Sequence, residues 1–180
     1  MRTARLVLRR FGAEDLEPML GFQSDPDVVR YVPYPPRDRQ TMRTVLERKI
    51  ANTRLAEDGD LLELAVVRTE DQVLIGDVLL VLRSVDHQTV EVGYVFSPAY
   101  SKRGYATEAV RALLEVAFFG LDARRVVARV DARNAASRAL LERLGMRQEA
   151  NLIENEWIKG ELTSEVDYAV LAREWLKAHR

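Results

Sequence analysis

The chain has 180 residues, 47% hydrophobic and 31% charged, with a net charge of −1. That balance fits one globular domain able to bury a proper core, without the basic field that nucleic acid demands. Cysteine is absent, and the two histidines, His87 and His179, lie far apart; disulfides, zinc–thiolate sites and a cysteine nucleophile are excluded, and no metal-ligand spacing is present.

The opening Met1-Arg2-Thr3-Ala4-Arg5 leads straight into a strand pattern with no apolar signal block. No apolar run approaches the length of a membrane span. Together with the missing cysteine, these features set the expectation of a reducing cytoplasm.

Leu6 and Leu8 alternate with Val7 and Arg9 and predict a first strand over 5–11. Glu14-Asp15-Leu16 starts a helix with acidic residues at the positive end of its dipole. Pro26 suits a turn or a first helical position. Pro33-Tyr34-Pro35-Pro36 interrupts both helix and strand and reads as a substrate-side loop. Met42, Val45, Leu46 and Ile50 predict a helix over 39–57, with Gly59 as its C-cap. Strands over Leu61–Arg68 and 73–82 read as a hairpin, and Asp86-His87-Gln88 is the next turn.

The central stretch is 91–117. Val90, Val92, Tyr94 and Phe96 alternate with Glu91, Gly93 and Val95, the period of a strand. After Pro98, the apolar positions Ala106, Ala109, Val110, Leu113, Leu114, Ala117 and Phe118 recur at helical spacing, and Gly120 stops the helix. The turn between them is Ser101-Lys102-Arg103-Gly104-Tyr105-Ala106. Backbone N–H groups at such a helix start hold phosphate. Lys102 and Arg103 add positive charge, and Gly104 permits close approach of a ligand. Arg125–Asp131 is a further strand. Asn134 caps a helix carrying Ala136, Ala139, Leu140 and Leu144, closed by Gly145. Strands over 146–154 and 163–171 and a short helix over 172–179 complete the chain.

The run Ser101 to Ala106 resembles the acetyl-CoA pyrophosphate signature of the GCN5-related N-acetyltransferases (GNAT), Gln/Arg-x-x-Gly-x-Gly/Ala, with Ser101 in the first place. Gly104-Tyr105-Ala106-Thr107-Glu108-Ala109 is similar to the branch of ribosomal-protein N-terminal acetyltransferases, RimJ/RimL-like. Asn134-Ala135-Ala136-Ser137, followed by Leu144-Gly145-Met146, resembles a second pattern of that branch, Asn-x-x-Ser and then Leu-Gly-Phe, with Met146 replacing the aromatic.

The resemblance covers essentially the whole chain. It implies an α/β (α+β) fold: one domain over 1–180, with flanking helices and a mixed, mostly antiparallel seven-stranded sheet. The strands at 91–96 and Arg125–Asp131 would splay apart to admit acetyl-CoA. The implied cofactor contacts are Val95, Phe96, Ser101, Lys102, Arg103, Gly104, Tyr105, Ala106, Thr107, Asn134 and Ser137. The co-substrate is acetyl-CoA, with an amine acceptor and no metal, nucleic acid or membrane. Members of the branch are often dimers, and Trp157, Ile158 and Tyr34 offer apolar surface for a homodimer.

Acetyl transfer to an amine needs a proton acceptor, a positioned thioester, a donor to the oxyanion and help for the leaving thiolate. Glu91 is the expected base, on one strand face with Gly93, whose missing side chain leaves room for substrate and whose semi-apolar setting would raise a carboxyl pKa. By resemblance, backbone N–H groups near Val95 and Phe96 meet the oxyanion if that strand bulges, and Ser137 protonates the thiolate. Tyr168 is a further candidate for that acid, beside its plain reading as core. Two other functions compete: an acyl-CoA-binding module without a working base, and a nucleotide-binding protein, although neither phosphate-loop motif of that class is present. The acceptor is left open, to be decided by residues 31–57 and the last strand pair.

Overall fold

A computed structural model describes residues 1–178. Its strands are β1 (Leu6–Arg9), β2 (Leu61–Arg68), β3 (Leu74–Ser84), β4 (Thr89–Phe96), β5 (Arg125–Asp131), β6 (Arg147–Ile158) and β7 (Glu161–Leu171). They form one sheet in the order β1-β2-β3-β4-β5-β7-β6. Only β4 and β5 pair in parallel; the other neighbours are antiparallel. The helices are α1 (Leu16–Gln23), α2 (Arg39–Ala51), α3 (Tyr105–Glu115), α4 (Ala135–Arg143) and α5 (Ala172–Ala178). The mixed seven-stranded α/β architecture is the one expected. His179, the expected end of the last helix, lies outside the described residues.

Several boundaries differ from expectation, among them β1, which spans Leu6–Arg9 and not 5–11; the largest differences are at α2 and the last hairpin. Helix α2 ends at Ala51, with Asn52 as its C-cap, well before Gly59. Met42 and Leu46 pack in the cluster under α1 and α2, whereas Leu55 packs in the opposite cluster, so the chain must leave the helix to reach it. Gly59, at φ +92°, instead turns the chain into β2, its N–H donating to Leu82 O at 2.7 Å. The last hairpin is longer than read. Lys159 and Gly160, at φ +52° and +82°, join β6 to β7, the two-residue turn with positive φ that suits the twist of a hairpin.

The sheet is covered on both faces. Val90 and Val92 of β4 and Val126 and Ala128 of β5 meet Ala109, Val110, Leu113 and Leu114 of α3 and Leu141 of α4. On the other face, Met19, Phe22, Met42 and Leu46 of α1 and α2 cover Ala65, Val67 and Leu74. Each fully buried Leu contributes about 1.5–3 kcal/mol.

That second face also buries an ionic cluster. Lys49 Nζ donates to Glu63 Oε1 at 2.6 Å and to Asp77 Oδ2 at 3.0 Å. Gln23 Nε2 also donates to Asp77 Oδ2, at 2.9 Å, and Arg37 Nη1 donates to Gln23 Oε1 at 2.5 Å. The cluster therefore ties α1, α2, β2, β3 and the loop following the prolines into one unit.

The central pair sets the site. β4 and β5 are in register only at Thr89–Arg125, Val90–Val126 and Glu91–Val127. Beyond them β4 stays with β3 up to Phe96–Gly76, and β5 stays with β7 up to Asp131–Glu165. The two strands thus diverge into a wedge. The bulge expected near Val95 and Phe96 is absent: the β3–β4 register is continuous there, and its one irregularity lies between Leu82 and Ser84. Divergence, rather than a bulge, frees the backbone. Because Ser97 N–H donates to Ile75 O at 2.8 Å, the strand alternation turns the amides of Tyr94 and Phe96 away from β3 and into the wedge.

Lys49→Ala removes the buried cation that Glu63 and Asp77 share, leaving Glu63 with Arg48 at 3.5 Å. The expected cost is about 3–5 kcal/mol, read by urea denaturation. Replacing Lys49, Glu63 and Asp77 together by apolar residues of similar volume should cost much less.

Candidate functional site

The turn before α3 is built to leave backbone donors open. After β4 a short 3-10 turn, Pro98–Tyr100, lifts the chain out of the sheet. Gly104 then occupies the N-cap position at φ +80°, and no side chain caps the helix. The first N–H groups of α3 therefore face outward at the positive end of the dipole. They border a hollow of about 720 Å³ shared by Ser101, Lys102, Gly104, Tyr105, Ala106 and Thr107. Its far wall is α4, which contributes Ala136, Ala139, Leu140 and Arg143.

Arg103 is the exception among the expected phosphate contacts. Its guanidinium lies 6.0 Å from the Tyr100 ring centre, and it does not line the hollow. Its carbonyl is part of a brace. Arg5 Nη1 donates to Arg103 O at 3.0 Å, and Arg5 Nε donates to Glu108 Oε2 at 2.7 Å. Thr3 Oγ1 and the Arg5 N–H donate to Glu108 Oε1 at 2.6 and 2.8 Å. The Arg5 guanidinium also sits 4.6 Å from the Tyr105 ring centre. The start of the chain thus clamps the turn before α3. Burial alone would raise the Glu108 carboxyl, but the bonds from Thr3 and Arg5 bring it below its ordinary value.

A second cavity, of about 350 Å³, lies at the wedge and is lined by Tyr94, Val95, Phe96, Asn134 and Ser137. The segment between α1 and α2 closes it with Asp27, Val28, Tyr31 and Val32. The two cavities share Phe96, Pro98, Ala106, Ala136 and Leu140, so they form one channel. Asn134 is the expected cap of α4, its Oδ1 accepting from Ser137 N at 3.1 Å. Ser137 is 8% exposed, and its Oγ lies 2.6 Å from the Tyr94 hydroxyl. Burial pushes the Tyr94 phenol up to about 12, against the opposing effects of the Ser137 hydrogen bond and Arg143.

Glu91 has other surroundings. Val90 and Val92 face α3, whereas Val95 packs under α1 and α2, so strand alternation puts Glu91 on the latter face. Its Oε2 accepts from Arg83 Nε at 2.6 Å and from Arg129 Nε at 3.1 Å. It lines neither cavity. The setting is ionic, not semi-apolar. The space above Gly93 is also filled: a Cβ there would lie 3.0 Å from Leu79 Cδ1. Tyr168 is a core residue, 1% exposed, donating to Glu142 Oε1 at 2.9 Å, and it does not line the channel.

The sequence reading missed Tyr94, Arg143, Asp27 and Val28, while Tyr31 and Val32 fall in the segment 31–57 expected to decide the acceptor. Two signals were available. Tyr94 shares strand parity with Phe96, and Ala136, Ala139, Leu140 and Arg143 form one helical stripe. Ala136 is exposed to the channel. Among the described residues, no group of His, Cys, Asp and Glu is arranged to hold a metal ion, and no helix is long and apolar enough to cross a membrane.

A wedge in a mixed sheet joins an uncapped helix start at one end to a mostly apolar cavity at the other. The chain belongs to the GNAT acetyltransferases: the family model "Acetyltransferase (GNAT) domain" matches residues 5–147. It is 29% identical over 179 residues to YnaD of Bacillus subtilis (strain 168), an uncharacterized N-acetyltransferase, covering 96% of this chain and 97% of that protein. A GNAT-family acetyltransferase structure from Bacillus anthracis superposes with a TM-score of 0.87 at 28% identity, over 97% of this chain and 99% of that one. The fold alone is shared with spermidine N-acetyltransferase from Vibrio cholerae, solved with CoA and spermine, at a TM-score of 0.81 and 19% identity over 97% and 99% of the two chains. The protein is an N-acetyltransferase, and acetyltransferases of this fold use acetyl-CoA.

Two outcomes test the turn before α3 and its clamp. Gly104→Glu places a carboxylate at a left-handed position bordering the hollow, its Cβ 3.4 Å from Arg5 Nη2, and it should abolish acetyl-CoA binding in calorimetry. Glu108→Gln should lower the melting temperature at neutral pH. The Glu108 carboxyl is depressed in the folded protein, so its stabilising effect is complete above the unfolded value, near about 4.3. It is lost as pH falls through the folded value, and the difference between variant and parent should shrink in acid.

Proposed function

We propose that the protein transfers the acetyl group of acetyl-CoA to a primary amine by direct attack within a ternary complex. The observation that carries this reading is the continuous channel, with phosphate donors at the α3 end and Tyr94, Ser137 and Asp27 at the other. A neutral amine attacks the thioester carbon, the C–N bond forms, the C–S bond breaks and CoA leaves as thiolate. The Phe96 N–H is the proposed oxyanion donor, and Ser137 the donor to the departing sulfur. The amine enters past Asp27, whose carboxylate favours a cationic amine at the mouth and directs its proton to water.

The geometry favours a different role for Glu91 from that of base. A base must be within hydrogen-bond reach of its proton or one water away. Glu91 is on the opposite strand face, three residues or about 10 Å from Tyr94, with two guanidinium groups on its carboxylate. We assign it as a strut joining β3, β4 and β5 at the closed end of the wedge. A homodimer through the β6 edge is part of the proposal, because Trp157 and Ile153 are 74% and 68% exposed; Ile158 and Tyr34 are partly buried and contribute less. A cytoplasmic setting is proposed from the absence of cysteine. The motif run from Gly104 to Ala109 favours the RimJ/RimL-like branch, with a protein N-terminus or a small-molecule amine as acceptor.

Thiol release from acetyl-CoA with a panel of alkylamines, diamines and peptides should identify at least one acceptor, with the acetylated product read by mass spectrometry. No thiol release with any amine, despite tight CoA binding, would favour a non-catalytic acyl-CoA module. With an acceptor in hand, Glu91→Gln should stay within about threefold of parental turnover while melting earlier. A pH-dependent loss of about 10²–10⁴ would restore Glu91 as base.

A further inference from the structure

We propose that Tyr94 is a positioning residue for the departing thiolate: its phenol donates to Ser137 Oγ and so leaves the Ser137 hydroxyl hydrogen free to meet the sulfur of CoA. This rests on the reading of the wedge cavity as the thioester end of the channel.

The two oxygens, 2.6 Å apart, join β4 to α4 across the open end of the wedge, and both side chains line the cavity. Acidity sets the direction of the bond, since a phenol, with a pKa of about 10, donates better than an alcohol. Serine has a single hydrogen. If Ser137 gave it to Tyr94, no hydroxyl hydrogen of Ser137 would remain for the ligand. The alternative acceptor for the phenol, Ser137 O, is farther away at 3.4 Å. The Ser137 N–H is already committed to the Asn134 cap. The cap therefore fixes the serine backbone, and Tyr94 fixes its hydroxyl.

Acidity also limits what the pair does. The buried phenol is pushed up to about 12, whereas an alkyl thiol of the cysteine type titrates near about 8.5. Passing the proton from such a phenol to such a thiolate is uphill by roughly 3.5 pKa units. The pair therefore stabilises the thiolate by hydrogen bonding, and the sulfur takes its proton from water. The electron pair of the broken C–S bond stays on sulfur until then. The charged and titratable groups acting on Tyr94 are Arg143 of α4 and Tyr168 of β7. Asp27 and Tyr31 face the same cavity from the segment after α1, and its lining includes no histidine or cysteine.

The test needs no acceptor. The full chain is titrated by calorimetry with CoA and with desulfo-CoA between about pH 7 and 10, spanning the thiol pKa. The ratio of the two affinities isolates the sulfur, because protein ionisations felt by both ligands cancel. In the parent, CoA should gain on desulfo-CoA by about tenfold as pH rises, equivalent to one pKa unit. Tyr94→Phe should lose most of that gain and Ser137→Ala all of it. The double variant should behave as Ser137→Ala, because Tyr94 acts through Ser137. A Tyr94→Phe profile matching the parent, or a further loss in the double variant, overturns the proposal. A parent with a flat ratio overturns sulfur donation by Ser137 as well. A parent that binds neither ligand overturns the acetyl-CoA reading instead. Should Tyr94→Phe fail to fold, 3-fluorotyrosine placed at Tyr94 keeps the shape and strengthens the donor; it should enlarge the gain, and an unchanged gain overturns the proposal.

Discussion

The structure depends on a parallel pairing that stops after three residues. From Val92 onward β4 has a neighbour on one side only, and from Ala128 onward so does β5. A buried backbone group without a partner costs about 1–3 kcal/mol, so such a wedge persists only when rigid neighbours hold it. Here β3 and β7 hold the outer edges, and α3 and α4 wall the opening. The unpaired edge of β4 is then available to a ligand that brings its own amides and carbonyl.

The helix starts show how this vacancy is managed. Asp38 accepts from Thr41 N at 2.8 Å to cap α2, and Asn134 accepts from Ser137 N to cap α4. Helix α3 has no side-chain cap. An open helix N-terminus is poorly held, and the compensation comes from the clamp of Thr3 and Arg5 on Glu108 and Arg103. That clamp also pairs the Glu108 charge, which would otherwise repel a phosphate one turn away. The ligand site and the first strand are therefore one mechanical unit.

Charge placement follows a similar logic on the other face. Glu91 and its two arginines bridge the strands where the wedge closes. The Lys49 cluster joins the helices that carry the cavity's outer wall to β2 and β3. Such buried pairs add little net stability compared with apolar packing. Their geometric demands are stricter than those of a methyl group, and they tie the loop after the prolines to the sheet beside the site.

The order of elements, the strand limits of β2 and β5, the Asn134 cap and the glycine turn before α3 were legible in the sequence. Each rests on local periodicity, on a single turn residue or on a short motif. The end of α2 was not legible, because it depends on which core Leu55 joins. Nor were the surroundings of Glu91: Arg83 and Arg129 come from neighbouring strands, and only the register brings them together. Tyr94 and Ser137 are 43 residues apart and meet because β4 and α4 flank the same gap. Local pattern determines which residues form strands and caps. Which side chains share a cavity is decided by sheet register and helix docking, and these depend on contacts distant in sequence.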